Sequence, residues 1–102
     1  MFQKKEKRAK RPKRCSQTPE FRKSWERYNR AGRRGMNEVC RVMTLLFMGE
    51  PLPPIYRDHD LVGEWKGFRE CHIGGDFLLI YSLPEPDLVL SVDLGSHAEL
   101  FR

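Results

Sequence analysis

The stretch GFRECHIGGDFLLIYSLPEPDLVLSVDL, residues 67–94, decides how this chain folds. GFRECHI alternates as a half-covered strand does, FLLIYS is a continuous apolar run, and LVLSVDL is a third apolar segment. GGD and PEPD, which separate them, are turn chemistry. Two sequential hairpins make an antiparallel meander. Because FLLIY does not alternate, it belongs in the middle of the sheet with both faces covered. His72 and Asp76 flank the first turn, so a titratable pair stands at the entrance to the most apolar segment.

A sheet must be covered, and the residues upstream supply the cover. Thr18 can cap a helix, Pro19 suits its first turn, and Glu20 favours the positive end of the helix dipole. Phe21, Trp25 and Tyr28 then fall on one helical face, and Gly32 is a stop. Met36, Val39, Cys40, Met43, Leu46 and Phe47 form a second stripe, ended by Gly49. With only RAGRRG between them, the two helices should be antiparallel. The expected class is α+β: an N-terminal helix hairpin packed on a small, mostly antiparallel sheet. The segment EPLPPIYRDHDL, residues 50–61, has three prolines that exclude a regular helix or a central strand. It should be an ordered surface loop pinned by Ile55, Tyr56 and Leu61.

With 102 residues there is room for one domain, placed here at residues 15–102. Residues 1–14 carry eight Lys and Arg and read as a flexible basic arm. Charge is asymmetric: residues 1–34 hold 14 Lys and Arg against 3 Glu (net +11), and residues 35–102 hold 5 against 11 acids (net −6). A positive field at one end suits a polyanionic partner, nucleic acid foremost. No apolar run approaches the roughly 20 residues that span a bilayer, and no hydrophobic stretch follows the basic start as in a secretory signal. A soluble cytoplasmic protein is expected. Cys15, Cys40 and Cys71 are scattered and form no CxxC pair, which argues against a disulfide framework or a zinc site. No cofactor or metal is expected.

The three histidines, His59, His72 and His97, each lie at an element boundary in the acidic, β-rich part. Cleaving RNA without a metal needs a base for the ribose 2′-hydroxyl, an acid for the departing 5′-oxygen, and a donor for the extra phosphorane charge. Imidazole suits either proton transfer because its pKa, about 6.5, lies near the working pH. An aspartate can act as base, or can fix a histidine tautomer. In a meander the third strand runs parallel to the first, so its far end returns to the edge of the GG turn. That topology should bring His97 to His72 and Asp76.

The series LPPIYRDHDLVGEWKGFRECHIGGDFLLIY, followed by LGSHAELF, resembles the YafQ branch of the RelE/ParE toxin superfamily. The resemblance covers about residues 15–102 and is most specific from Leu52 to Tyr81 and from Gly95 to Phe101. It implies the same helix hairpin on a sheet, and a ribosome-dependent endoribonuclease of a type II toxin–antitoxin module. By motif, His59, His72, Asp76 and His97 are its catalytic set, and Phe101 is the terminal aromatic that holds substrate. Phe77 stands where the branch often has tryptophan. The implied division of labour gives the 2′-hydroxyl proton to Asp76 or neutral His72 and the leaving-group proton to His97. His59 and Arg69 neutralise the phosphate, while Phe77 and Phe101 pack against a base. The implied partners are a cognate DinJ/RelB-like antitoxin, the 70S ribosome and mRNA, with operator DNA reached only through the antitoxin. The competing readings are a non-catalytic ParE-like gyrase poison and a basic nucleic-acid-binding module. Neither needs an acid and a base at one sheet edge.

Overall fold

The computed structural model describes residues 10–101, so most of the expected basic arm lies outside the described residues. After strand β1 (Arg14–Gln17) come two helices, α1 (Pro19–Ala31) and α2 (Met36–Phe47). Strands β2 (His59–Asp60), β3 (Arg69–Gly74), β4 (Phe77–Glu85) and β5 (Leu88–Gly95) follow, and a short helix α3 (His97–Leu100) ends the fold.

The helix signals act as their chemistry dictates. The Thr18 hydroxyl accepts from Phe21 N at 2.9 Å, which satisfies an otherwise orphaned donor at the start of α1. Gly32, at φ 67°, adopts the left-handed conformation that ends α1, and its N–H returns to Tyr28 O. The buried stripe is Phe21 and Tyr28 from α1 with Val39, Val42, Met43 and Leu46 from α2. Two positions depart from expectation. Cys40 faces solvent, and Ile55 is exposed while its neighbour Tyr56 is the residue that goes inside.

The sheet has five strands in the order β1-β5-β4-β3-β2. The β3-β4-β5 meander is antiparallel, as read from the sequence, and β4 is its centre. Phe77 through Tyr81 are each no more than 2 % exposed, so both faces of β4 are covered. Phe77, Leu79 and Tyr81 join Cys71, Ile73 and the helix residues in one core, while Leu78 and Ile80 are buried on the opposite face. Strand β1 was not expected. It lies parallel to β5 along the edge of the sheet, and Arg14 clasps Asp87 and Glu85 across the β4–β5 turn.

Candidate active site

The two-residue strand β2 sorts the polar side chains. His59 pairs with Glu70 and Asp60 with Arg69, and directly opposed residues share a face of a sheet. His59, Glu70 and His72 therefore stand on one face, while Asp60, Arg69 and Cys71 stand on the other, toward the helices. On the first face both imidazoles approach one carboxylate: Glu70 Oε2 lies 3.3 Å from His72 Nε2 and 3.8 Å from His59 Nε2. The two rings are 6.3 Å apart. Glu70 is only 3 % exposed, whereas the His59 and His72 side chains are 49 % and 22 % exposed. A buried carboxylate thus backs two imidazoles that are open to solvent.

The His59 tautomer is set by its surroundings. Its Nδ1 lies 2.7 Å from the carbonyl oxygen of Arg57, which can only accept, so Nδ1 carries the proton. Nε2, the atom facing Glu70, is left as the nitrogen that gains or loses one. Arg57 is the one non-glycine residue among those described with a positive φ, 48°. Such left-handed strain at a side chain is uncommon and tends to accompany functional sites. Here it turns the Arg57 carbonyl toward the imidazole. A cleft of about 440 Å³ opens beside His72, and its lining includes Arg57, Ile73 and Gly74 with Glu38 and Tyr56 from the helix side.

Asp76 and His97 meet as the meander topology requires. Asp76 Oδ1 accepts from the backbone N–H of His97 at 3.2 Å, so the GGD turn holds the first residue of α3. Ser96 and Glu99 cap α3 reciprocally. The Tyr28 hydroxyl donates to Glu99, which Arg27 also approaches at 3.4 Å. The Tyr28 hydrogen bond, with the Ser96 backbone N–H, pulls the Glu99 carboxyl down to about 2. A Cβ at Gly95 would stand 2.8 Å from Glu99 Oε1, so a larger residue there would have to displace the Glu99 carboxylate. Across the sheet His72 pairs with Leu78, and Leu78 with Gly95. Two strand spacings, about 10 Å, therefore separate the His72 backbone from the start of the His97 segment.

Phe101 supplies an aromatic wall. Its ring lies 5.1 Å from His97 and 5.3 Å from Trp65. Trp65 in turn packs edge-on to Phe68, and the three rings border a cleft of about 610 Å³.

Two expected site residues do not join this group. Phe77 is 2 % exposed, packed edge-on to Tyr28 at 4.9 Å, with the Arg34 guanidinium 5.0 Å over its ring. Neither face is free to stack a base; the first side chain of β4 points to the helices. Arg69 faces the helix side as well. It bonds Asp58 at 2.9 Å, Asp60 at 2.5 Å and the Tyr81 hydroxyl at 3.1 Å, and Tyr81 donates to Asp58 at 2.6 Å. Two carboxylates already neutralise its charge, and these bonds raise its pKa above the ordinary arginine range. Arg69 ties the loop before β2 to the sheet. The residue that sequence reasoning missed is Glu70. Its signal was the i, i+2 spacing to His72 within an alternating strand, which places both on one face.

Among the described residues no group of three or more His, Cys, Asp and Glu side chains is arranged to hold a metal ion. No helix there is long and apolar enough to cross a membrane.

Residues 13–102 match the family described as "Bacterial toxin of type II toxin-antitoxin system, YafQ". The chain is 45% identical over 67 residues to the mRNA interferase toxin YafQ of Escherichia coli K12, spanning 65% of this chain and 72% of that protein. Its fold is similar to a chain of the E. coli DinJ-YafQ complex, with a TM-score of 0.80 and 34% identity over 88% of this chain and 99% of that one. It is similar as well to a metal-bound toxin from Helicobacter pylori, with a TM-score of 0.79 and 34% identity over 87% and 99% of the two chains.

Proposed function

This chain belongs to the YafQ family of type II toxin–antitoxin toxins, and we propose that it acts as the toxin of such a module, a ribosome-dependent endoribonuclease that cuts mRNA. The E. coli relative's name as an mRNA interferase supports this reading. The observation that carries it is the placement of His59 and His72 on one buried carboxylate, at the sheet edge where Asp76 holds the start of His97's helix.

The chemistry is metal-free acid–base cleavage. Neutral His72 takes the proton from the ribose 2′-hydroxyl, and Glu70 stabilises the imidazolium that forms. The 2′-oxygen attacks the adjacent phosphorus, and the P–O5′ bond breaks. Protonated His97 gives its proton to the departing oxygen, leaving a 2′,3′-cyclic phosphate. His59, when protonated, offsets the phosphorane charge. Asp76 already accepts the His97 backbone N–H, so its role is to position the acid; a carboxylate there also avoids crowding the scissile phosphate. Phe101 packs against a base beside the cut. Each well-placed proton transfer contributes about 100- to 10,000-fold.

The partner that silences this site is a DinJ-like antitoxin, a reading supported by the E. coli relative's complex with DinJ. An acidic, partly disordered segment suits the basic surface of α1. Operator DNA is reached through that partner, and the toxin works in the cytoplasm, where mRNA and ribosomes are. Mapping mRNA ends after adding the purified chain, with and without 70S ribosomes, tests the reading. The expected result is cuts bearing 2′,3′-cyclic phosphate that require ribosomes. Intact mRNA together with arrested DNA replication would overturn it in favour of a gyrase poison.

A further inference from the structure

The sequence RAGRRG carries Arg30 in the last turn of α1 and Arg33 and Arg34 in the link to α2. Of these, Arg34 is half-buried while its neighbours are exposed. Its guanidinium sits 5.0 Å over the ring of Phe77, the residue that follows Asp76. Phe77 is itself fixed, 2 % exposed and edge-on to Tyr28. A guanidinium stacked on a rigid ring keeps its planar fork and all its donors available at the rim while losing its freedom to swing. Among the described residues no carboxylate pairs with Arg34, whereas Arg69 is engaged by Asp58 and Asp60 and Arg27 by Glu99.

We propose that Arg34 is a phosphate-holding residue that grips the RNA backbone beside the scissile nucleotide, with Phe77 as its seat. The inference rests on the nuclease reading for the identity of the strand, and it reassigns Phe77 from base stacking to seating this cation. The β3–β4 turn carries Asp76 at the end of the candidate cleft, and Arg34 stands over the next residue on the helix side. A strand leaving His72 and His97 across that turn meets the guanidinium at a flanking phosphate. Arg30 at the end of α1 and Arg33 in the link, both exposed, add field without a fixed geometry. Arg34 touches no reacting atom in this arrangement. It is a positioning residue.

The test is equilibrium binding of the full chain to a short single-stranded RNA whose riboses are 2′-O-methylated and so cannot be cut. Fluorescence anisotropy follows binding across a range of NaCl concentrations. Arg34→Met keeps the stem over Phe77 and removes the charge; Arg34→Gln replaces it if the Met variant does not fold, and Arg34→Lys keeps the charge. Loss of one phosphate contact on a single strand should flatten the slope of log K against log salt by about 0.7. Binding at low salt should weaken by about tenfold. The Lys variant should retain the wild-type slope. No measurable binding by the wild-type chain, or an unchanged slope and affinity in the uncharged variant, overturns the assignment. Cleavage of mRNA by the wild-type chain is scored separately. If it cuts while the uncharged variant binds normally, only the role of Arg34 falls; if it never cuts while the slope still changes, only the nuclease reading does.

Discussion

Replacing Glu70 by Gln removes one charge and almost no volume, and it isolates what the buried carboxylate does for the imidazole above it. Glu70 Oε2 lies 3.3 Å from His72 Nε2. At that separation two unit charges attract by about 5 kcal/mol at an effective dielectric of 20 and by about 1.3 kcal/mol in bulk water. The His72 side chain is 22 % exposed and Glu70 3 % exposed, so a value between these limits applies, about 2–3 kcal/mol. The attraction exists only once His72 is protonated, on the way to the transition state, so its loss should appear in kcat and not in KM. At 1.36 kcal/mol per tenfold, kcat should fall roughly 30- to 150-fold. Single-turnover cleavage of a ribosome-programmed mRNA, with the melting temperature as a control on folding, measures it. Glu70→Asp keeps the charge and should recover part of the rate. A Gln variant within threefold of wild type, or one whose defect lies wholly in KM, would refute this account of the site.

Other expectations concern the scaffold. Glu99 is held at about 2 against its ordinary 4.5, chiefly by the Tyr28 hydroxyl. With the folded value depressed, its contribution is fully present above about pH 4.5 and is lost as pH falls toward 2. Glu99→Gln should therefore show a smaller loss of stability than wild type between pH 5 and 2 in acid unfolding followed by circular dichroism; an identical decline argues against the Tyr28–Glu99 contact. Asp58→Asn leaves Arg69 and Tyr81 short of their shared acceptor and should cost about 1–3 kcal/mol in urea unfolding, where an unmoved midpoint counts against the network. Burial pushes the Cys71 thiol up to about 12, while Cys15 and Cys40 are exposed. Iodoacetamide at pH 8 should label those two quickly and Cys71 only on unfolding, and rapid labelling of all three would contradict its placement in the core.

Much of this architecture is legible in the residues because its signals are local. Thr18 and Gly32 bound α1 where their capping chemistry says they should. The GG turn and the two hairpins follow from short-range pattern, and the return of His97 to Asp76 follows from strand count alone. What escaped depends on partners far away in the chain. RCSQ has no alternating apolar residues, and β1 exists because β5, more than 70 positions later, offers it a free edge. The run FLLIY is apolar at every position, so nothing in it says that Phe77 faces the helices and Leu78 the other way. Arg69 looked available until the loop folded Asp58 and Asp60 against it. Glu70 drew no reading from the sequence, and only the two-residue strand β2, which sets His59 opposite it, reveals the shared carboxylate.

The assignment of His97 as the acid can be tested by changing the leaving group. An mRNA with sulfur in place of the bridging 5′-oxygen at the cut releases a thiolate that leaves without a proton. His97→Ala should lose at least about a hundredfold in cleavage of ordinary mRNA, yet cut the sulfur-bridged substrate at close to the wild-type rate, while His72→Ala stays slow on both. Equal losses for His97→Ala on the two substrates would contradict the proposed acid–base division between the two strand ends.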